Sequence, residues 1–209
     1  MHLLEKLNWR YATKKFDANK EITEDDFKTL KEAVRLSVSS YGLQLYKVLI
    51  IENKELRTKL QPVSWGQTQI VDASKLFVFC NYATLKPEDV QEYINLKAKS
   101  INVDPKELQG YADFINSKLS ERSGSEIEAW TAKQTYLALG NLLDASAELK
   151  IDACPMEGFE PDKYDEILGL KEKGLNAAVV AAVGYRSDED QTQNSPKVRK
   201  PDEDLFIVM

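Results

Sequence analysis

The sequence predicts an α+β domain, or a mixed-sheet α/β domain, rather than a helix bundle. Helical and strand patterns are interspersed along the chain, with several helices falling between strands. The chain has 209 residues, of which 43% are hydrophobic and 30% charged, so it can bury a sizeable core. No internal repeat, linker or low-complexity segment interrupts the sequence, and we expect residues 1–209 to form one domain.

Four segments have the continuous apolar, β-branched character of buried strands. The clearest are 46–51 (YKVLII) and 75–82 (KLFVFCNY), with 63–74 predicted as a loop before the second. A shorter strand at 151–154 precedes PMEGFEP, which we expect to form a tight loop. The last strand, 176–183 (NAAVVAAV), ends at a glycine.

Capping signals place the first helices. Thr23 and Asp26 approximate a capping box, and Ile22 and Phe27 are spaced as a hydrophobic staple. Asn53 is placed to cap a short helix that stops at a proline. The helices predicted in this half are 2–8, 23–37 and 53–62.

Prolines open three later helices. Pro87 and Pro105 begin two charged, amphipathic helices, which we expect to form a helical excursion at about 87–122. Pro161 begins a third, small helix. The polar, unperiodic stretch that follows the last strand predicts a C-terminal extension from about residue 187.

The longest predicted helix covers 126–149. Ser125 and Glu128 fit a capping box at its start. Its apolar residues lie on nearly all faces of the helix, and a helix that is apolar on all sides is buried on all sides. One chain of this size offers limited cover for such a helix, so we expect a dimer.

The overall charge argues against several classes of function. The net charge is −6, from 28 basic and 34 acidic residues, whereas nucleic-acid binding normally requires a basic excess or stripe. No apolar run approaches the ~20 residues of a membrane helix. The N-terminus lacks the apolar core of a secretory signal, so we expect a cytoplasmic protein without membrane or nucleic-acid partners.

Cysteine and histidine usage also narrows the chemistry. Cys80 and Cys154 lie far apart in predicted strands, and two free thiols are the default expectation, with a single disulfide as the minority alternative. His2 is the sole histidine. A zinc site and a histidine-dependent nucleophile triad are therefore both unexpected.

Two basic clusters could bind an anion. WRYATKKFD (9–17) contains Arg10, Lys14 and Lys15, and a second cluster lies at 197–200 (KVRK). The dinucleotide fingerprint G-x-G-x-x-G and the P-loop are both absent, so a nucleotide phosphate would have to be held by side-chain cations. An arginine fork with a flexible lysine suits a phosphomonoester. Solvated surface cations remain the alternative.

Two polar loops could contact a ligand. SVSSYGLQ (37–44) offers hydroxyl and amide groups, although a helix C-terminus followed by a glycine turn gives the same pattern. ACPMEGFE (153–160) combines a strand end with a carboxylate and Gly158, which lets backbone approach a ligand closely. An ordinary turn between a strand and a helix is the alternative there.

Taken together and in order, these stretches resemble the nitroreductase family of FMN-dependent NAD(P)H oxidoreductases. The likeness is to the branch of oxygen-insensitive nitroreductases and dihydropteridine reductases, and it runs nearly end to end. The matching stretches are RYATKKFD, SSYGLQLY, QTQIVDASKLFVFC, WTAKQTYLALGNLL, PMEGFEPDKYDEILGLKEKG, VGYRSDED and PKVRKP. The resemblance implies a mixed, mostly antiparallel sheet flanked by helices, with the long central helix at a dimer interface.

The resemblance also implies a homodimer with two FMN molecules at the subunit interface. Arg10, Lys197 and Arg199 would hold the flavin phosphate. Lys14 would reach the N1 and C2-carbonyl end of the isoalloxazine ring, where an ammonium stabilises the negative charge that two-electron reduction brings. Lys15 is expected to be a surface residue.

Other matches give the rest of the implied cofactor site. Gln67 and Gln69 match the loop at the ring's pyrimidine edge, and 39–42 would arrive from the partner chain. The backbone of Glu157 and Gly158 would lie beside N5, where hydride enters and leaves. The implied cofactor-binding residues are Arg10, Tyr11, Ala12, Lys14, Ser39, Ser40, Gly42, Gln67, Gln69, Pro155, Glu157, Gly158, Lys197 and Arg199.

The implied reaction is a ping-pong hydride transfer from NADH or NADPH, through FMN, to a small-molecule acceptor such as a nitroaromatic or a quinone. Lys14, Glu157 and Gly158 would be the catalytic residues. Tyr41, Tyr111 and Phe114 are expected to contact the substrate. A non-catalytic flavin-binding protein on the same fold is the alternative, because fold alone does not separate the two.

The sequence departs from the family pattern at three places. Ala12 stands where a serine is usual, which removes one hydroxyl contact. Leu45 and Tyr46 replace a Pro-Trp pair, and Gln69 replaces a commonly basic ring contact. These changes bear on the flavin potential and the substrate preference.

Overall fold

A four-stranded antiparallel sheet forms the centre of the protein. The computed structural model describes residues 3–209, and its strand order is β1-β2-β4-β3. One isolated parallel bridge joins Ala12 to Ala153. Together with the helices on both faces, this sheet confirms the predicted α+β fold. The strands are β1 (Tyr46–Ile51), β2 (Lys75–Tyr82), β3 (Asp152–Met156) and β4 (Leu175–Gly184).

Helices account for most of the remaining chain. Residue 2 of the predicted first helix lies outside the described residues, and this helix continues one residue beyond the predicted end. Thr23 and Asn53 cap their helices as predicted, accepting from the N–H groups of Asp26 and Leu56. The α-helices are α1 (Leu3–Trp9), α2 (Glu24–Arg35), α3 (Lys54–Leu60), α4 (Gln69–Asp72), α5 (Pro87–Ile101), α6 (Gln109–Ser120), α7 (Gly124–Glu148), α8 (Pro161–Leu168) and α9 (Asp202–Leu205).

The sheet is covered on both faces. Helices α2 and α7 pack on one face, where Leu30, Phe77 and Leu142 share a core. On the other face α3 and α8 pack over Leu76, and Tyr164 of α8 is buried in this second core. Burial on both faces explains why β2 and β4, the two inner strands, are continuously apolar rather than alternating.

The helical excursion has a core of its own. Helices α5 and α6 pack against the first turns of α7, and Val90, Ile94 and Ile115 are fully buried there. Leu96, an apolar residue of α5, is by contrast 69% exposed. It lies off the i, i+4, i+8 stripe that Val90, Ile94 and Ala98 form, so the helical period turns it to solvent.

The long helix begins two residues earlier than predicted. Ser123, not Ser125, is its N-cap: the Ser123 hydroxyl accepts from the Glu126 N–H, and the Glu126 carboxylate accepts from the Ser123 N–H at 2.7 Å. Both serines have an acidic residue three positions on. The earlier start is favoured because each added residue adds a backbone hydrogen bond to an existing helix.

Two predicted loops contain regular structure. The loop at 63–74 includes the single turn of α4, and Pro155 and Met156 extend β3 instead of opening the PMEGFEP turn. Proline is tolerated at this place because β3 is an edge strand, where one side of the backbone lacks a neighbour. Glu157 and Gly158 are therefore the first residues after the strand.

Cys80 and Cys154 are free and buried, as predicted. Burial raises the pKa of Cys80 to about 12, so it remains a thiol at neutral pH. Within residues 3–209, none of the helices combines the length and apolar character that a bilayer-spanning segment requires.

The N-cap of α7 is directly testable. Ser123→Ala should lower the free energy of unfolding by about 1 kcal/mol, because the Glu126 N–H loses its acceptor. Ser125→Ala, the matched control, leaves the capping box intact and should change it by less than about 0.5 kcal/mol. Urea unfolding followed by circular dichroism measures both, and equal losses would contradict this N-cap.

Candidate active site

The two basic clusters of the sequence meet in the structure. The Lys197 ammonium donates a hydrogen bond to the Arg10 carbonyl oxygen, across 187 positions of sequence. Partial desolvation, then the positive charges of Arg199 and Arg10, lower the pKa of Lys197. Three cations therefore lie close enough to repel one another. Their role as a phosphate site stays a prediction.

Arg10 also has an unused donor. Its Nε is buried and is one of two buried side-chain polar atoms without a hydrogen-bond partner among residues 3–209. A buried, unpaired donor on a charged group is destabilising, and an anion at this position would both accept from it and offset the repulsion among the cations. The residues present thus fit a phosphate group.

Lys14 and Gln69 converge on the thiol of Cys154. Burial raises the pKa of Cys154, while the Lys14 charge and a hydrogen bond with Gln69 partly offset the rise. Gln69 is buried at the start of α4, and the Lys14 side chain is exposed. The two residues predicted for the ring of the cofactor therefore share one neighbour on β3.

A buried carboxylate fixes the backbone of the first basic cluster. Asp190 accepts from the N–H groups of Lys14 (2.8 Å) and Lys15 (3.2 Å), the Tyr11 hydroxyl (3.0 Å) and the Thr192 N–H (3.0 Å). Burial alone would raise the pKa of Asp190, but these backbone donors bring it below its ordinary value. Tyr11 is shifted the other way: burial and Asp190 raise its pKa to about 12.

A second buried carboxylate anchors the same segment. Asp152 accepts two hydrogen bonds from the Arg186 guanidinium, at 2.6 and 2.9 Å. That guanidinium lies against both the Trp9 ring (4.5 Å) and the Tyr11 ring (4.6 Å), within cation–π range. The Arg186–Asp152 pair therefore holds the chain on either side of Arg10.

Sequence reasoning singled out none of Asp190, Asp152 and Arg186. Arg186 and Asp190 fall in VGYRSDED, a stretch that carries the family resemblance, so the order of motifs was the available signal. Asp152 had no signal beyond being a charged residue in an otherwise apolar predicted strand.

Beyond the end of β3, Gln67 and Gly158 are in direct contact. The Gln67 amide donates to the carbonyl oxygens of Gly158 (2.8 Å) and Ser64 (3.0 Å). A Cβ atom at Gly158 would lie 2.9 Å from both the Gln67 amide nitrogen and the Trp65 ring, so any other residue would displace these side chains. Trp65 itself is 72% exposed beside this turn.

Glu157 is held by the long helix. The Tyr136 hydroxyl donates to the Glu157 carboxylate at 2.5 Å. Burial, followed by the hydrogen bond and the charge of Glu157, raises the pKa of Tyr136 to about 12, which keeps it a donor at physiological pH. A cavity of about 460 Å³ adjoins this pair, with Gly140 and Pro155 in its lining.

These groups follow β3 in order, and we call them the β3 site. At the start of the strand, Ala12 pairs with Ala153, which brings the first basic cluster alongside. Lys14 and Gln69 come next at Cys154, and Glu157 and Gly158 follow the strand. Its members are Arg10, Tyr11, Ala12, Lys14, Gln67, Gln69, Pro155, Glu157, Gly158, Lys197 and Arg199.

The predicted residues at 39–42 lie elsewhere in the chain. The Ser40 N–H donates to the Gln134 side chain at 2.8 Å, and Gly42 lies close to the Tyr93 ring. Among the described residues, no hydrogen bond joins Ser39, Ser40 or Gly42 to the β3 site.

The predicted substrate residues form an aromatic cluster under the helical excursion. The Tyr41 ring lies 6.5 Å from the Phe114 ring and 6.3 Å from the Trp130 ring, both edge-on. Tyr41 has φ of 56°, an unusual backbone conformation for a bulky residue. Tyr111 contacts the same core but lies under the Lys97 ammonium, at 4.5 Å.

Comparisons with known proteins identify relatives over the whole chain. Residues 7–185 match the sequence model of the Nitroreductase family. A Staphylococcus saprophyticus protein named "Putative NAD(P)H nitroreductase" is 37% identical, over 97% of this chain and 94% of its own. Two crystal structures show the same fold. They are the "putative nitroreductase" ydfN of Bacillus subtilis (TM-score 0.86, 20% identity, 100% of both chains) and one of Exiguobacterium sibiricum in complex with FMN (TM-score 0.85, 19% identity, 100% of this chain and 98% of that one).

The role of Asp190 predicts a pH-dependent contribution to stability. Its lowered pKa means that the carboxylate stabilises the fold above the unfolded-state pKa of about 4, and that this contribution is lost as the pH falls through the folded-state pKa. Asp190→Asn should therefore lower the free energy of unfolding at pH 7 by about 1 to 3 kcal/mol.

Urea unfolding at pH 7 and at several values below pH 4 measures this effect. The difference between wild type and Asp190→Asn should shrink as the pH falls. Asp188→Asn, an exposed neighbour, is the matched control and should show little difference at any pH. A constant gap for Asp190→Asn across the range would mean that its charge is not the stabilising feature.

Proposed function

Because the chain belongs to the nitroreductase family, we propose that it is an FMN-dependent NAD(P)H oxidoreductase that reduces nitroaromatics, quinones or related acceptors in ping-pong order. One observation carries the cofactor assignment: cations from opposite ends of the chain converge around Arg10, whose buried Nε lacks a partner. The FMN in the related Exiguobacterium sibiricum structure supports the choice of anion.

Arg10, Lys197 and Arg199 bind the FMN phosphate in this proposal. The phosphate offsets the mutual repulsion that lowers the pKa of Lys197, and it satisfies the buried Arg10 donor. A planar arginine fork supplies directional hydrogen bonds, and the lysine supplies a flexible point charge. Asp190 keeps Tyr11 and the backbone at Lys14 and Lys15 in place without itself contacting the phosphate.

Lys14 and Gln69 face the ring. When bound, FMN supplies reversible two-electron chemistry that passes hydride from NAD(P)H to the acceptor. Lys14 places an exposed positive charge at the N1 and C2-carbonyl end, where it stabilises developing negative charge. Gln69, buried beside Cys154, offers an amide to the pyrimidine edge.

Glu157 and Gly158 hold their backbone at the N5 side. The crowding of Gly158 by Gln67 and Trp65 fixes that turn, and Tyr136 fixes the Glu157 carboxylate. A nicotinamide needs only to stack beside this turn. The proposal therefore requires no dinucleotide-binding fingerprint, which the sequence lacks.

We also propose a homodimer in which 39–42 of one chain complete the β3 site of the other. Tyr136 and Leu137 of α7 are 42% and 47% exposed, so a single chain leaves part of this apolar helix uncovered. The hydrogen bond of the Ser40 N–H to Gln134, on the same helix α7, places 39–42 beside this helix. In this proposal Tyr41, Tyr111 and Phe114 border the electron acceptor. We also propose that the protein is cytoplasmic.

Anaerobic addition of NADH or NADPH tests the activity. Protein reconstituted with FMN should be yellow and should bleach with at least one of the two donors, then regain its colour on addition of a nitroaromatic or a quinone. Yellow protein that never bleaches would instead favour a non-catalytic flavin-binding role. Failure to take up FMN would exclude both functions.

Two substitutions separate the proposed roles within the site. Arg199→Ala should weaken FMN binding roughly tenfold or more, because a charge-assisted contact to phosphate is lost. Lys14→Ala should slow bleaching by roughly tenfold or more while changing FMN affinity less, because it acts where charge develops. FMN titration and stopped-flow bleaching measure the two effects.

Lys15→Ala is the matched control for both. Lys15 adjoins Lys14 but pairs with Glu189 on the surface, at 3.4 Å, so its removal should leave both measurements near the wild-type values. If Lys14→Ala and Arg199→Ala keep wild-type affinity and bleaching rate, the residue assignment is wrong even where the protein is active.

A further inference from the structure

Arg57 is a buried arginine that the proposed function does not use. It lies on α3 and is only 2% exposed, although arginine is rarely fully buried without a charged partner. Among the described residues it forms no ion pair, and the charges of Glu21 and Asp72 act on it only from beyond ion-pair distance. Desolvation lowers the pKa of Arg57, so burying this cation is unfavourable by itself.

The Arg57 guanidinium binds three backbone carbonyls instead. Its Nε donates to Ile70 at 2.6 Å, one Nη donates to Ser74 at 3.3 Å, and the other donates to Ala73. These carbonyls lie in α4 and in the segment that leads into β2. The last carbonyls of a helix have no partner within it, and a cation there also complements the helix dipole.

The geometry requires arginine and not merely a positive charge. Its planar fork reaches three oxygens in fixed directions, whereas a lysine ammonium is a compact donor on a flexible stem. Helix α4 has only four residues, too few to be stable alone. Its position therefore depends on contacts from outside, and Arg57 supplies one to Ile70 within the helix and two to the residues that follow it, Ala73 and Ser74.

Helix α4 connects Arg57 to the proposed flavin site. Gln69 is its first residue and reaches Cys154 on β3. The same loop is fixed at its other end by the buried hydroxyl pair of Ser64 and Tyr164, at 2.7 Å. Gln67, between these anchors, bridges to Gly158.

We propose that Arg57 is a positioning residue for the flavin site, which holds α4 so that Gln69 faces the pyrimidine edge of the ring. This inference rests on the proposed function, because it assigns the ligand of Gln69 to FMN. Arg57 itself touches neither cofactor nor substrate. It acts through the carbonyls of Ile70, Ala73 and Ser74.

The test compares Arg57→Met and Arg57→Lys with wild type. In protein without FMN, hydrogen exchange of the 69–74 amides should speed up about tenfold in Arg57→Met, since the segment 70–74 loses its three donors. After reconstitution, FMN affinity should fall about tenfold, and the midpoint potential of the bound flavin should shift. Arg57→Lys should fall between wild type and Arg57→Met in all three measurements.

Leu30→Ala is the matched control for simple loss of stability. Leu30 is fully buried on α2, in the core on the opposite face of the sheet from α3. Its melting temperature should fall, while exchange at 69–74 relative to the rest of the chain, FMN affinity and flavin potential should stay at the wild-type values.

The outcomes separate the two proposals. If Arg57→Met behaves as Leu30→Ala does, Arg57 is structural only and the positioning role is wrong. If wild type takes up no FMN, the proposed function fails, and the exchange of 69–74 still decides whether Arg57 holds α4. If Arg57→Met does not fold, Arg57→Lys carries the comparison: wild-type affinity and potential in that variant would overturn the role.

Discussion

The N-terminal stretch that carries Arg10 and Lys14 has no regular structure of its own, and buried carboxylates from the other end of the chain hold it in place. Asp190 binds the backbone at Lys14 and Lys15, and the Asp152–Arg186 pair packs against Trp9 and Tyr11. A buried carboxylate is stable only when its lone pairs are satisfied; the basic stretch supplies donors to Asp190, and Arg186 supplies them to Asp152. The remainder of the β3 site depends on this mutual arrangement.

The electrostatics of the site differ from those of the chain as a whole. The protein carries a net charge of −6, yet Arg10, Lys197 and Arg199 lie together, and none of them forms an ion pair with a carboxylate among residues 3–209. The two nearby buried carboxylates have other hydrogen-bond partners: Asp190 accepts from backbone N–H groups, and Asp152 accepts from the Arg186 guanidinium. This concentration of positive charge favours the binding of an anion.

Rigid backbone defines the opposite end of the site. A side chain at Gly158 would displace Gln67 and Trp65. The Gln67 amide and the Tyr136 hydroxyl hydrogen-bond to the turn at Gly158 and Glu157. Arg57 binds the backbone of α4 before β2. These contacts come from different elements, so the turn has little freedom to move. Positioning of this kind suits chemistry in which a bound cofactor supplies the reactivity and the protein supplies the geometry.

The sequence by itself determined the elements and the family. Continuous apolar runs gave β1 and β2 their bounds, and local caps placed α2 and α3, because the responsible interactions lie within a few residues. Ordered motifs identified the basic clusters and the turn at Glu157 and Gly158, although Pro155 and Met156 belong to β3. The same local signals could not choose between Ser123 and Ser125, since both satisfy one pattern, nor reveal that Leu96 faces solvent.

Only the tertiary structure decided which distant groups meet. Lys197 reaches Arg10 across the length of the chain, Asp190 binds the backbone of Lys14, and Arg57 completes α4. Hydrogen bonds between remote segments follow no sequence period, and buried charges look the same as surface charges in a sequence. The roles of Asp190, Asp152, Arg186 and Arg57 therefore emerged from burial and distance, which depend on the folded chain as a whole.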